Sequence, residues 1–301
     1  MENSIEKDIL VRGTAWGSKL RVFSVRTTEL VRELQRRHQS LPTATAALGR
    51  TATAAAMMGA MLKGEEKLTI QVKGDGPMGQ IVMDANAHGE VRGYADHPQV
   101  QLASNAQNKL DVAGAVGRDG FIHVLKDLGL KEPYRGSVPI ISGELGEDFT
   151  YYFASSEQTP SVVGLGVLVD EYGQVLNAGG FIVQLLPGVS DEDITRLEQA
   201  IANMPPLSSL LDQGETPEGV LGFLVGDDVQ LMDELEIKFQ CKCSKERVER
   251  TLISMGADEL NAIIEEDGQA QVECHFCNES YVFDRAQLKV LLEQAQPKPK
   301  E

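Results

Sequence analysis

The chain has 301 residues, 42% of them hydrophobic, and 28 Lys+Arg stand against 45 Asp+Glu for a formal net charge of −17. That length supports a sizeable core and more than one domain, and the apolar fraction excludes disorder throughout. The acidic balance argues against nucleic acid or an anionic membrane surface as the main partner, because both are bound through basic patches.

The N-terminus, MENSIEKDILVRG, lacks the apolar stretch of a secretory signal. No window approaches the roughly 18 consecutive apolar residues of a membrane span. The expected compartment is the cytoplasm, where thiols are kept reduced. ILVRGTAWG and LRVFSVRTT predict two strands. TTELVRELQRRH predicts a helix with a capping threonine and with Leu30, Val31 and Leu34 at helical spacing, its Arg32, Arg36 and Arg37 forming a solvated face. TATAALGRTATAAAMMGAMLKG is almost uncharged and polar on no face, which predicts a buried central helix whose methionines serve packing.

KLTIQVKGDGPMGQIVMDANAHGEVRGYADHP reads as a three-strand antiparallel meander. Its GDGPMG formally matches G-x-G-x-x-G, but a strand comes after it and Pro77 stands where a phosphate-binding turn needs backbone donors. A hairpin turn is expected there. FIHVLKD and YRGSVPIIS read as extended, and ELGEDFTYYFASSEQ places Leu145, Phe149, Tyr152 and Phe153 on one helical stripe. VVGLGVLVDEYGQVLNAGGFIVQLLPG closes the domain as a hairpin. Residues 1–180 are thus expected to form an N-terminal α+β domain that folds without the rest.

Residues 181–231 predict an acidic helical linker. Ser190 with Asp191, Glu192 and Asp193 starts a helix, and PP at 205–206, GETPEG and GDD break the helical stretch into short pieces. From Ser190 to Asp233 there are ten acids and a single base, Arg196, yet the same stretch holds the apolar runs PLSSLL and VLGFLVG. Such a segment has little stability of its own, or is a plain helical spacer. Residues 232–292 predict a small third unit: a strand in DELEIKFQ, helices in SKERVERTLISMG and ADELNAIIEEDG, a strand pair around CHFC, and a last helix in RAQLKVLLEQAQ. Residues 293–301 read as a disordered tail.

Cys241, Cys243, Cys274 and Cys277 are the only cysteines, and all lie in that small unit. Zinc favours a tetrahedron of thiolates, with C-x-x-C at a hairpin tip supplying two and C-x-C in a tight bend two more. Four thiolates leave no open position, so hydrolytic zinc chemistry is not expected. His275 is read as a surface residue or a hydrogen-bond donor beside the site. Zinc could act as a plain staple or hold the thiolates ready for oxidation, and spacing alone leaves both open. Lys242, with Lys238, Lys245 and Arg247 nearby, would favour thiolate over thiol. No catalytic constellation accompanies the cysteines: His38, His88, His97 and His123 are scattered, and there is no G-x-S-x-G, H-E-x-x-H or P-loop. The chain is therefore not expected to be an enzyme.

C-x-C, thirty residues, then C-x-x-C, preceded by the acidic linker and the domain with the GDGPMG turn, closely resembles the bacterial redox-regulated heat-shock chaperones of thirty-three kilodaltons over the whole chain. The resemblance implies an ATP-independent holdase that binds unfolding client proteins under oxidative stress. It implies an inactive reduced form with one Zn2+ per chain on Cys241, Cys243, Cys274 and Cys277. It also implies that oxidation pairs Cys241 with Cys243 and Cys274 with Cys277, releases zinc, unfolds the cysteine domain and loosens the linker, the active form being commonly a homodimer. Two other classes compete with it. A structural zinc ribbon binding nucleic acid is disfavoured by the charge. A thiol-disulfide oxidoreductase working through Cys274 and Cys277 would want a thioredoxin-like domain, for which sixty residues do not suffice.

Overall fold

The computed structural model describes residues 7–107 and 109–295. The chain divides into two compact units, Met1–Gln240 and Cys241–Glu301. In the first, β1 (Ile9–Ala15) and β2 (Leu20–Arg26) are followed by α1 (Thr28–His38) and α2 (Pro42–Gly59). The meander is β3 (Lys67–Lys73), β4 (Gln80–Asn86) and β5 (Glu90–Ala95), then come α3 (Val112–Val116), β6 (Phe121–Asp127), β7 (Tyr134–Pro139) and α4 (Gly146–Ser155). β8 (Ser161–Val169) and β9 (Val175–Leu185) make the expected hairpin. The acidic stretch forms α5 (Asp191–Asn203), α6 (Leu207–Asp212) and α7 (Pro217–Val225), broken where the interrupters stand, before β10 (Val229–Glu236) and β11 (Lys238–Phe239). One sheet has the order β10-β1-β2-β9-β8 and the other β11-β5-β4-β3-β6-β7. Neighbours are antiparallel except β11 beside β5.

α2 is buried at every position except Pro42 and Arg50, as its lack of a polar face requires. It packs against strands of both sheets. Its threonines tolerate burial because Thr51 and Thr53 donate their hydroxyls to the carbonyls of Ala47 and Gly49 one turn back. Leu145, Phe149, Tyr152 and Phe153 join the same core. The GDGPMG loop joins β3 to β4 and lies on α3, with Gly76 and Met78 N–H groups donating to Val116 and Ala115 carbonyls at 3.0 and 3.1 Å. A Cβ on Gly74 would come within 2.1 Å of the Val116 carbonyl oxygen, so close backbone approach explains that glycine.

Two expectations need correction. Thr27 does not cap α1: its hydroxyl bonds Thr53 at 2.7 Å, and the carboxylate of Asp8 accepts the Glu29 and Leu30 N–H groups at 3.1 and 2.7 Å instead. The helix end is satisfied by the residue just ahead of β1, which local sequence does not reveal. Second, residue 180 falls inside β9, a central strand, and β10 and β11 carry the first unit to Gln240. The 181–231 segment is part of that unit because β2 and β9 are covered on both faces. Phe23, Val25 and Ile182 face α2's side, while Leu20, Val22, Phe181 and Val183 lie against Leu197, Leu207, Leu211, Val220, Leu221 and Leu224. The last helix of the chain reaches Ala295, and residues 296–301 of the expected tail lie outside the described residues.

Asp8 carries a pH dependence. Burial pushes its carboxyl up to about 7, against the pull of the two amides and of Arg26. The folded carboxyl thus holds its proton to higher pH than the unfolded one. The stability it contributes is complete below its ordinary value and lost as pH rises through about 7. Relative to Asp8→Asn, the native chain should lose up to about 1.4 kcal/mol per pH unit between roughly pH 5 and 7. Urea unfolding of both chains at several pH values measures this, and parallel curves would refute it.

Candidate metal centre

The second unit is a small module built from α8 (Lys245–Met255), α9 (Ala257–Glu266), a hairpin of β12 (Gln269–Glu273) and β13 (Ser280–Asp284), and α10 (Arg285–Ala295). Ser244 caps α8 by accepting the Arg247 N–H. Among the described residues its fully buried cluster is Leu252, Leu260, Ile264, Phe283, Leu288 and Leu291, with partly buried side chains such as Val248, Ile263 and Val272 packed against it. That is little for an independent unit.

Cys274 and Cys277 occupy the β12–β13 turn. The N–H groups of Cys277 and Asn278 donate to the Cys274 carbonyl at 3.1 and 2.7 Å, and Asn278 takes the left-handed conformation that closes the turn. Cys241 and Cys243 approach from the bend before α8. Sγ of Cys241 is 3.7 Å from Sγ of Cys274, and Sγ of Cys243 is 3.2 Å from Sγ of Cys277. All four sulfurs lie within 4.8 Å of one another, close enough to hold a metal ion. Cys277 is buried and the other three half-buried.

Burial pushes the Cys277 thiol well above its ordinary range and raises Cys274 too. A dication bonded to all four sulfurs as thiolates would reverse that, so the donor set suits a soft, thiolate-preferring metal. The tyrosine hydroxyl of residue 281 donates to Sγ of Cys243 at 3.2 Å. That bond to the sulfur, with burial behind it, raises the Tyr281 pKa. His275, expected at the surface or as a donor, is exposed. Among the flanking bases, Lys245 lies over the Phe283 ring at 5.3 Å and Lys238 is 4.0 Å from Glu90. Sequence reasoning missed Tyr281, although alternation along SYVFD puts it on the same face as buried Phe283.

It also missed what holds the acidic helices. Trp16 donates its indole N–H to the Val225 carbonyl at 2.9 Å, and Arg196 lies 4.4 Å above its ring. The sole base of the acidic stretch therefore sits on the sole tryptophan of the chain. Lys19 pairs with Asp193 at 2.7 Å.

A family model described as Hsp33 protein matches residues 8–284. The chain belongs to the Hsp33 family. Hsp33 relatives span it almost end to end. A 33 kDa chaperonin of Geobacillus kaustophilus is 53% identical over 96% of this chain and 98% of its own length. That of Bacillus subtilis is 52% identical over 95% and 99%. The crystal structure of the 33 kDa chaperonin from Thermotoga maritima superposes with a TM-score of 0.90 at 38% identity, covering 96% of this chain and 99% of that one. The α+β fold expected from the sequence is the Hsp33 fold, and the expected identity as a redox-regulated chaperone of this family holds. Among the described residues no helix is long and apolar enough to cross a membrane.

Proposed function

We propose that the reduced chain holds one zinc ion through Cys241, Cys243, Cys274 and Cys277, and that oxidation of these thiols makes it an ATP-independent holdase for unfolding proteins in the cytoplasm. The observation that carries this is the four-sulfur cluster. Tetrahedral zinc with Zn–S bonds of about 2.3 Å sets sulfurs about 3.8 Å apart. The Cys241–Cys274 separation of 3.7 Å is such an edge. Bound zinc supplies folding energy to a module whose own core is small. The four thiolates leave no position for substrate, so the centre regulates and does not catalyse.

Oxidation joins Cys241 to Cys243 and Cys274 to Cys277. Each pair of thiolates gives up two electrons to one peroxide molecule, which takes two protons from solvent and becomes two waters as the S–S bond forms and the zinc–sulfur bonds break. Local pairing leaves the bend before α8 and the β12–β13 turn unlinked, so the module opens. The closest sulfurs favour a second reading, with bridges Cys241–Cys274 and Cys243–Cys277. Those bridges would close long loops and keep the module shut. The local pairing is what a switch requires. The active assembly is a homodimer, which light scattering of the oxidised chain tests.

The deciding experiment compares aggregation suppression of a denatured test protein by reduced and peroxide-treated chain, with zinc release followed by a chromogenic chelator and disulfides mapped by mass spectrometry. Suppression and zinc release should rise together, with both bridges local. Equal suppression in both states, or bridges running between the two motifs, would overturn the switch. Tyr281→Phe should weaken zinc binding roughly 10–100-fold, since the hydroxyl orients and stabilises a ligand sulfur. Chelator competition measures it, and an unchanged affinity would remove Tyr281 from the centre.

A further inference from the structure

The residues just before the cysteines cap an open edge of each sheet in the first unit. β10 lies along β1 from Ile9 to Ala15, and β11 lies along β5 at Glu90 and Val91. Both are outermost strands. They differ from ordinary edge strands in how they are held. No side chain of β10 is buried, whereas β1 buries Leu10, Val11, Gly13 and Ala15. Met232 is 73% exposed. Side-chain anchorage of β10 comes from the ion pairs Arg12–Asp233 at 2.5 Å and Lys7–Glu236 at 3.2 Å and from half-buried Val229 and Leu235, which pack against the two cores. The exposed Lys7–Glu236 pair contributes little, whereas the Arg12 guanidinium meets both carboxylate oxygens of Asp233. The firm apolar anchors come at the end nearest the cysteines, where Ile237 is 3% exposed and Phe239 packs on the core beneath Arg37.

β10 is thus seated on β1 mainly by main-chain hydrogen bonds, and those are indifferent to sequence. Gly13 fits this: a Cβ there would stand 2.3 Å from the Gln230 carbonyl oxygen. Beside the edge, a recess of about 260 Å³ is lined by Phe23, Met61, Leu62, Arg12, Arg21 and Met232. On the other face of β1 lie Val11 and Ala15, covered by α7's side of the second core. An open sheet edge of this kind, bordered on one face by a recess that mixes Phe23, Met61 and Leu62 with Arg12, Arg21 and Lys63 and on the other by apolar core, is normally a liability to a protein. Here it is covered by a strand whose anchors adjoin the redox module in sequence.

We propose that β10 is a removable cover and that the β1 edge, Ile9–Ala15, takes an extended apolar segment of an unfolding protein as an added antiparallel strand. The inference rests on the redox-switch reading and names how that switch's clients are held. Main-chain pairing gives affinity without sequence preference, and alternate apolar side chains of the client enter the recess on one side and lie over Val11 and Ala15 on the other. Loss of the folded cysteine module frees the Ile237 and Phe239 end, from which β10 can peel.

The test uses the full chain, reduced and oxidised, with residue-resolved amide exchange. The β1 amides that bond β10 should be protected in the reduced chain and exchange at least 100-fold faster after oxidation. A chemically unfolded reporter protein should then restore their protection, while amides bonding β2 stay protected throughout. In parallel, a labelled peptide of sequence Val229–Glu236 should bind the oxidised chain at least 10-fold more tightly than the same peptide N-methylated at alternate residues. β1 amides that stay protected after oxidation, or that the reporter fails to re-protect, overturn the inference. So does equal binding of the two peptides. If these fail while oxidised chain still suppresses aggregation, the switch stands and only strand addition falls. If oxidation produces no suppression at all, both fall.

Discussion

A Cys277→Ser chain should reach the reduced state without a folded cysteine module and with the body of its first unit still folded. Cys277 is 3% exposed and its sulfur is 3.2 Å from that of Cys243, so the replacement puts a hydroxyl of low metal affinity at the most enclosed corner of the cluster. The module has six buried apolar side chains to hold two short helices, a hairpin and a terminal helix. Thiolate zinc sites contribute on the order of 10–16 kcal/mol of apparent folding free energy. A core this small cannot replace that. Metal analysis should show zinc falling far below one per chain, and cobalt substitution should lose its tetrahedral thiolate spectrum. Amide exchange should be fast across 241–295, raised at β10, β11 and the β1 amides that bond β10, and unchanged in α1–α4 and in the pairing of β2 to β9. A variant whose module stays as protected as the native one would show that the apolar core, and not the metal, holds it.

The second large effect lies in the acidic helices. Leu221 and Leu224 of α7 are fully buried in the second core, against the outer face of β1, β2 and β9. Replacing a buried leucine by alanine costs about 2–5 kcal/mol. The stretch of α5–α7, with seven acids and one base from Asp191 to Val225, has little else to keep it docked. Leu221→Ala with Leu224→Ala should therefore release α5–α7 in the reduced, metal-loaded chain. Trp16 reports the event, because its indole N–H bonds Val225 and its ring lies under Arg196. Its emission should shift to the red, and aggregation suppression should appear without oxidant. Native-like emission with no suppression would mean that docking of these helices is not what restrains the chaperone.

The cysteine centre was largely legible because metal chemistry is local. Two thiolates within a bend and two within a hairpin turn are brought together by short-range geometry, and Cys241, Cys243, Cys274 and Cys277 do converge. Tyr281 was not read, since its partner sulfur lies 38 positions away in sequence. The central helix was equally legible, because a segment polar on no face has no stable place except inside.

What sequence alone determined, then, is most of what local pattern sets: most strand and helix positions, though not α3 or the start of β10, the buried helix α2, the breaks among α5, α6 and α7, and the clustering of the four cysteines. What only the tertiary structure decided is which surfaces meet. LRVFSV and GFIVQL read only as strands, and it is the fold that shows both their faces covered. Periodicity cannot name the cover, because burying an apolar face lowers free energy whatever covers it. The fold assigns that role to the acidic helices, gives the α1 cap to Asp8 in place of Thr27, and lays β10 and β11 on the edges of two different sheets. Each of these depends on contacts between residues far apart in the chain, where the deciding quantity is the geometry of the assembled core.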